Sequence, residues 1–80
     1  MKKFDPSITE ESLYRGCIPH RIYQILKQNG HPMTLDEIYF ALKRTYFGFG
    51  RLYVRRILQE KRHFISEEGS DTWRLAIWDK

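Results

Sequence analysis

The stretch from Gly48 to Arg62, GFGRLYVRRILQEKR, constrains this chain more than any other. Wound as an α-helix at about 100° per residue, it puts Tyr53, Val54, Ile57 and Leu58 on one stripe. Arg51, Arg55, Arg56, Gln59, Arg62 and His63 fall on the opposite half. A helix of this kind buries one side in a core and leaves the other in water. Two runs follow almost at once, Phe64-Ile65-Ser66 and Thr72 to Ile77, and they read as paired strands around Glu67-Glu-Gly-Ser-Asp71. In the second run Trp73, Leu75 and Ile77 share one face by the strand period of two, while Arg74, Ala76 and Trp78 take the other. That apolar density speaks against a disordered tail behind a three-helix bundle, the runner-up architecture.

The rest of the chain is punctuated just as locally. A helix is predicted over Pro19–Asn29, because proline suits the first helical position and Gly30 followed by Pro32 ends the element. Ile22, Ile25 and Leu26 form its buried stripe, with Ile18 as a flanking contact. Met33-Thr34 reads as a very short strand. Thr34-Leu-Asp-Glu37 then has the form of a capping box, opening a second helix to about Arg44 with Leu35, Ile38, Tyr39 and Leu42 at helical spacing. Thr45 to Gly50 is an aromatic and glycine linker, and the third helix is expected from about Arg51 to Arg62. Residues 1–17 read as an N-terminal arm: Asp5-Pro6-Ser7 as a turn, and Ser7 or Thr9 as the cap of a short helix that Gly16 stops. Phe4, Ile8 and Leu13 are its candidate latches onto the body.

Length sets the scale. Eighty residues make one domain, which buries roughly 60% of its unfolded surface and has room for one small core. Charge is distributed unevenly. Residues 43–62 hold seven of the fourteen Lys and Arg side chains and only one acid, Glu60, so the remainder of the chain is net acidic. A local concentration of this sort is the electrostatic footprint expected for a polyanion; the alternative is a solvated helix face with snorkelling side chains. The single cysteine, Cys17, leaves no internal disulfide and suggests a reducing compartment, cytoplasmic or, in a eukaryote, nuclear. No apolar run reaches transmembrane length, and no hydrophobic signal core follows Lys2 and Lys3, so no membrane partner is expected.

The order helix, short strand, helix, helix, strand, strand predicts an α+β fold, a winged helix-turn-helix with a three-helix core and a C-terminal β-hairpin wing over residues 18–78. Three segments also carry a resemblance: Ile22 through Asn29, Gly30-His-Pro-Met-Thr-Leu-Asp-Glu-Ile38, and His63-Phe-Ile65 with Asp71-Thr-Trp-Arg-Leu75. They resemble the HARE-HTH winged-helix family, whose members include the N-terminal domain of the bacterial RNA polymerase delta subunit. The resemblance spans about residues 18–78. It implies a role in transcription or chromatin-linked regulation, through contact with DNA or with the transcription machinery. Two departures from the delta subunit, the absence of a long acidic C-terminal tail in these residues and the basic third helix, favour direct contact with nucleic acid.

On that reading the third helix is the recognition helix. Arg51 and Arg55 lie near its start, where base edges are usually met, and Gln59 matches adenine in the major groove. Arg56, Lys61 and Arg62 suit phosphate, Arg44 and Thr45 (with Lys43) flank the same strand, and the backbone N–H groups around Gly48 to Arg51 can also hold a phosphate. The hairpin tip works the other way, since Glu67, Glu68 and Asp71 are repelled by phosphate; the tip either points away or meets a basic protein. Tyr46, Phe47 and Phe49 either close the core or stack on a partner, Leu52 falls awkwardly near the centre of the polar face, and Trp78 lies beyond the hairpin core, where it covers the arm or joins a second copy.

Other chemistry is poorly supported. Cys17-x-x-His20 offers two zinc ligands without a second pair, since His31 and His63 lack paired spacing. The same two residues lack the third group that would orient a nucleophile and its base. Gly48-x-Gly50 is too short for a phosphate-binding glycine motif. The expected function is therefore a small winged-helix DNA-binding regulator, with no enzyme activity and no cofactor. The alternative is a protein-interaction module that docks on RNA polymerase or another transcription complex through its wing and exposed aromatics. A homodimer is an open arrangement, because one small domain reads few base pairs.

Overall fold

The computed structural model describes residues 8–67, 69 and 71–79. It contains α1 (Ile18–Asn29), β1 (Met33–Thr34), α2 (Leu35–Lys43), α3 (Arg51–Glu60), β2 (Phe64–Ser66) and β3 (Thr72–Leu75), with 3-10 turns at Glu10–Ser12 and Ala76–Asp79. Three helices pack on a three-stranded antiparallel sheet of order β1-β3-β2.

Local chemistry explains most element boundaries. Pro19 sits in the first turn of α1, and Gly30 closes the helix in the left-handed region at φ 80°, donating its N–H to the Leu26 carbonyl at 3.0 Å. A side chain rarely adopts that φ, so glycine suits the position. The capping box at α2 is complete. Glu37 N–H donates to Thr34 Oγ1 at 3.2 Å, and Thr34 N–H donates to Glu37 Oε1 at 2.8 Å. Each bond satisfies a donor that the helix itself leaves unpaired.

β3 is the central strand. It pairs with β1 through Met33↔Trp73 and Thr34↔Thr72, and with β2 through Phe64↔Leu75, Ile65↔Arg74 and Ser66↔Trp73. The register turns Trp73 and Leu75 inward, as the alternation predicts, but the strand ends at Leu75 rather than at Ile77. From Ala76 the chain tightens into a 3-10 turn, which brings Ile77 against the core as a partly buried contact. Ile22, Leu26, Ile38, Leu42, Val54, Leu58 and Leu75 are the most completely buried side chains, so each helix and the central strand supply the core.

Among the described residues of the arm the short helix is a 3-10 turn at Glu10–Ser12, and the segment 8–13 is docked on the body. Leu13 joins the hydrophobic core. Ser12 Oγ lies 2.7 Å from Nε2 of His63, while Glu10 pairs with His20 at 3.2 Å and with Lys27 at 3.1 Å. The proposed cap Ser7, the latch Phe4 and the turn at Asp5-Pro6-Ser7 lie outside the described residues, as does Glu68 of the hairpin tip. Trp78 borders a cleft with Thr9, Glu10 and Glu11, so it does lie beside the arm.

Candidate nucleic-acid interface

α3 buries Val54, Ile57 and Leu58 and turns the rest of its surface outward. Three expectations about that surface need correction. Tyr53, placed on the buried stripe, is 49% exposed. His63, placed on the polar half, is 6% exposed, because α3 ends at Glu60 and the chain turns inward. Lys61 is the extended C-cap, and Lys61 and Arg62 therefore leave the helix axis instead of continuing it. The ring of His63 meets Tyr23 edge-on, with 6.2 Å between ring centres. The strand β2 has to start at Phe64 to pair with Leu75, and that pairing overrides a helical pattern that would run two residues further.

The arginines of α3 do not act as one group. Arg51 faces α2: its Nε donates to Asp36 Oδ1 at 2.8 Å. Its guanidinium carbon also lies 5.4 Å from the centre of the Tyr39 ring and 5.9 Å from that of Phe40. Lys43 leans on the same Tyr39 ring, at 5.4 Å. Arg51 therefore belongs to an aromatic and ionic cluster across α2 and α3, which Phe49 extends by edge-on contact with Tyr39 and by a tilted contact with Tyr53.

Arg55, Arg56 and Gln59 are different. Together with Leu52 and Tyr53 they line one surface depression of about 540 Å³. All five residues come from one helix, so this is an open face with no opposing wall. Among the described residues neither Arg55 nor Arg56 makes an ion pair. The arrangement offers two guanidinium forks and one side-chain amide, arranged around an apolar centre: Leu52 is 81% exposed. Guanidinium forks match phosphate and guanine edges bidentately. At the start of α3, Gly50 provides no side-chain cap, and the first helical bond runs from Val54 N–H to the Gly50 carbonyl at 3.3 Å.

Arg44 and Thr45 lie elsewhere. They line a cleft between α1 and the end of α2, beside Arg21, Gln28 and Asn29, and none of these residues lines the α3 depression. Arg21 was not singled out by sequence reasoning. The available signal was its spacing: it stands one turn before Ile25, at the edge of the buried stripe of α1, where a long charged side chain ends up half-buried.

The linker aromatics divide. Tyr46 and Phe49 pack on the core, whereas Phe47 is 87% exposed. With Phe40, Leu52 and Tyr53 it leaves a set of exposed apolar groups on and near α3. At the hairpin tip Asp71 is exposed and Glu67 half-buried, with Glu67 N–H donating to the Thr72 carbonyl at 3.0 Å. Cys17 Sγ donates to the Tyr14 carbonyl at 2.8 Å, and His20 is engaged by Glu10. Among the described residues no three His, Cys, Asp or Glu side chains are grouped to hold a metal ion, and no helix is long and apolar enough to cross a membrane. Comparison of the chain with protein-family models, with curated proteins and with solved structures returns no match.

Proposed function

We propose that this chain is a small winged-helix DNA-binding domain that meets duplex DNA with the outer face of α3. The observation that carries the reading is the shared face of Arg55, Arg56 and Gln59, with both guanidinium groups outside any ion pair among the described residues. The order of elements and the β1-β3-β2 sheet support the winged-helix reading; the proposed kinship to the HARE-HTH family rests on the resemblance of sequence. Arg55, Arg56 and Gln59 would meet base edges or phosphate, with Lys61 and Arg62 beyond the helix end as phosphate contacts. Arg51 starts from a pair with Asp36. Both members are more than half exposed, and such pairs contribute at most about 1 kcal/mol, so a phosphate can compete for it. On these grounds the chain works by binding rather than by catalysis.

The test is an anisotropy titration of a fluorescent duplex at two salt concentrations. Wild-type affinity should fall steeply with salt. The variant Arg55→Ala with Arg56→Ala should bind about tenfold more weakly or worse, and its log–log salt slope should flatten by roughly 0.9 for each phosphate that is no longer neutralised. Equal affinity and equal slope for the two proteins would remove α3 from the interface.

One observation favours a second reading. Leu52 stands at the centre of the face and is almost wholly in water, with Phe40, Phe47 and Tyr53 also exposed. A charged rim around apolar anchors also suits a protein surface, so docking on a transcription complex is the alternative. Leu52→Ala separates the two. It should leave DNA affinity within about twofold if Arg55 and Arg56 carry binding, because an apolar truncation removes no charge. It should abolish capture of RNA polymerase subunits, after nuclease treatment, if Leu52 is the anchor.

A further inference from the structure

The cleft between α1 and the end of α2 is separate from the α3 face and has its own chemistry. Its volume is about 420 Å³ and it is lined by Arg21, Gln28 and Asn29 of α1, by Arg44 and Thr45 after α2, and by an apolar floor of Ile25, Met33 and Ala41. No carboxylate is among these residues. Two guanidinium groups from different elements thus border one acid-free depression, and neither forms an ion pair among the described residues.

Arg21 is the more informative of the two. Its Nε–H is shut off from solvent and has no hydrogen-bond partner among the described residues. Its Nη1 makes one long bond, 3.3 Å, to Gln24 Oε1. A buried donor without an acceptor is costly and uncommon. Arg21 lines this cleft together with Arg44, Thr45 and Gln28, none of which is an acid. Glu10, which lines an adjoining depression together with Arg21, is already engaged by Lys27 and His20.

We propose that this cleft is a phosphate-binding site, in which Arg21 and Arg44 grip a phosphate group and Thr45 and Gln28 complete its hydrogen bonding. A tetrahedral dianion supplies what the cleft lacks: several acceptor oxygens and a charge opposite to two uncompensated guanidinium groups. The phosphate can belong to a nucleic-acid backbone or be free in solution. The site shares no lining residue with the α3 face, so it stands whether or not α3 meets DNA.

Nitrogen-15 NMR of the intact chain tests it. Inorganic phosphate and a short duplex are titrated separately, with sodium chloride at matched ionic strength as the reference. The reporters are the Arg21 and Arg44 Nε–H signals and the backbone amides of Gln28, Asn29 and Thr45. Saturable shifts there, beyond those caused by chloride, are the expected result; a response to inorganic phosphate assigns free phosphate as sufficient, and a response to duplex alone assigns the backbone. Arg44→Gln should weaken the response about tenfold or more, and Arg21→Gln should do the same with the folded spectrum retained. Should Arg21→Gln fail to fold, Arg44→Gln alone decides, because Arg44 is exposed. Shifts no larger than with chloride for both titrants, or a response that survives Arg44→Gln unchanged, would overturn the site.

Discussion

In the segment 8–13 polar side chains are drawn into partnerships, whereas on the outer face of α3 they are left to water. Glu10 pairs with His20 and Lys27, Ser12 bonds to His63, and Leu13 is inserted beside them. Lys27, through its hydrogen bond, holds the Glu10 carboxyl below its ordinary value, with burial working against it, and the same bond raises the Lys27 ammonium. Burial pushes the Tyr23 hydroxyl up. On α3 the like charges Arg55 and Arg56 share one depression with no acid between them. The difference teaches that charge content does not separate structural from functional surface. What separates them is whether complementary groups converge, and only one of the two regions has them.

That contrast can be broken at its strongest point first. Leu13→Ala removes the apolar anchor of the segment, and a buried Leu→Ala change costs about 2–5 kcal/mol. Denaturant unfolding should show a loss of that order with an unchanged m-value. A loss under about 0.5 kcal/mol, the range of ordinary surface changes, would mean that the segment is not part of the cooperative unit.

The next effect is smaller and depends on pH. Because the folded Glu10 carboxyl titrates below its usual 4.5, the unfolded chain takes up its proton first as the solution is acidified. The pairing therefore contributes fully above about pH 4.5 and is lost as the pH falls through the lowered folded value. Glu10→Gln should cost about 0.5–1 kcal/mol at pH 7, and the gap between wild type and variant should close towards pH 3. A gap independent of pH would show that the side chain acts by packing alone.

The smallest effect belongs to the other side of the comparison. Arg55→Ala with Arg56→Ala should change stability by no more than about 0.5 kcal/mol, since neither guanidinium has an ion-pair partner among the described residues. Alanine is also the better helix former. A large destabilisation would make these arginines structural and would weaken the proposed interface with them.

Much of the fold was legible because its signals act over three or four residues. The Thr34 to Glu37 capping box, the Gly30 stop, the buried stripes of α1 and α2 and the inward Trp73 and Leu75 follow from spacing alone. The candidate face was legible in part. Arg55, Arg56 and Gln59 share a surface because they lie within one helix. Arg51 could not be assigned in this way, since its carboxylate partner Asp36 lies on another helix. The same holds for Arg44 and Thr45, which the packing of α2 on α1 carries to a different cleft.

By itself, then, the sequence determined where helices begin and stop, which stripe of each is apolar, and that cationic charge gathers in residues 43–62. Tertiary structure decided which of those cations keep company. It turned Arg51 onto two rings of α2, drew His63 beneath the N-terminal segment, left Arg55 and Arg56 together in water, and brought Arg44 to the cleft that Arg21 lines. The physical reason is range. Helical and strand periodicity is a property of neighbours along the chain, whereas the partner of a charged side chain is chosen by how separate elements pack.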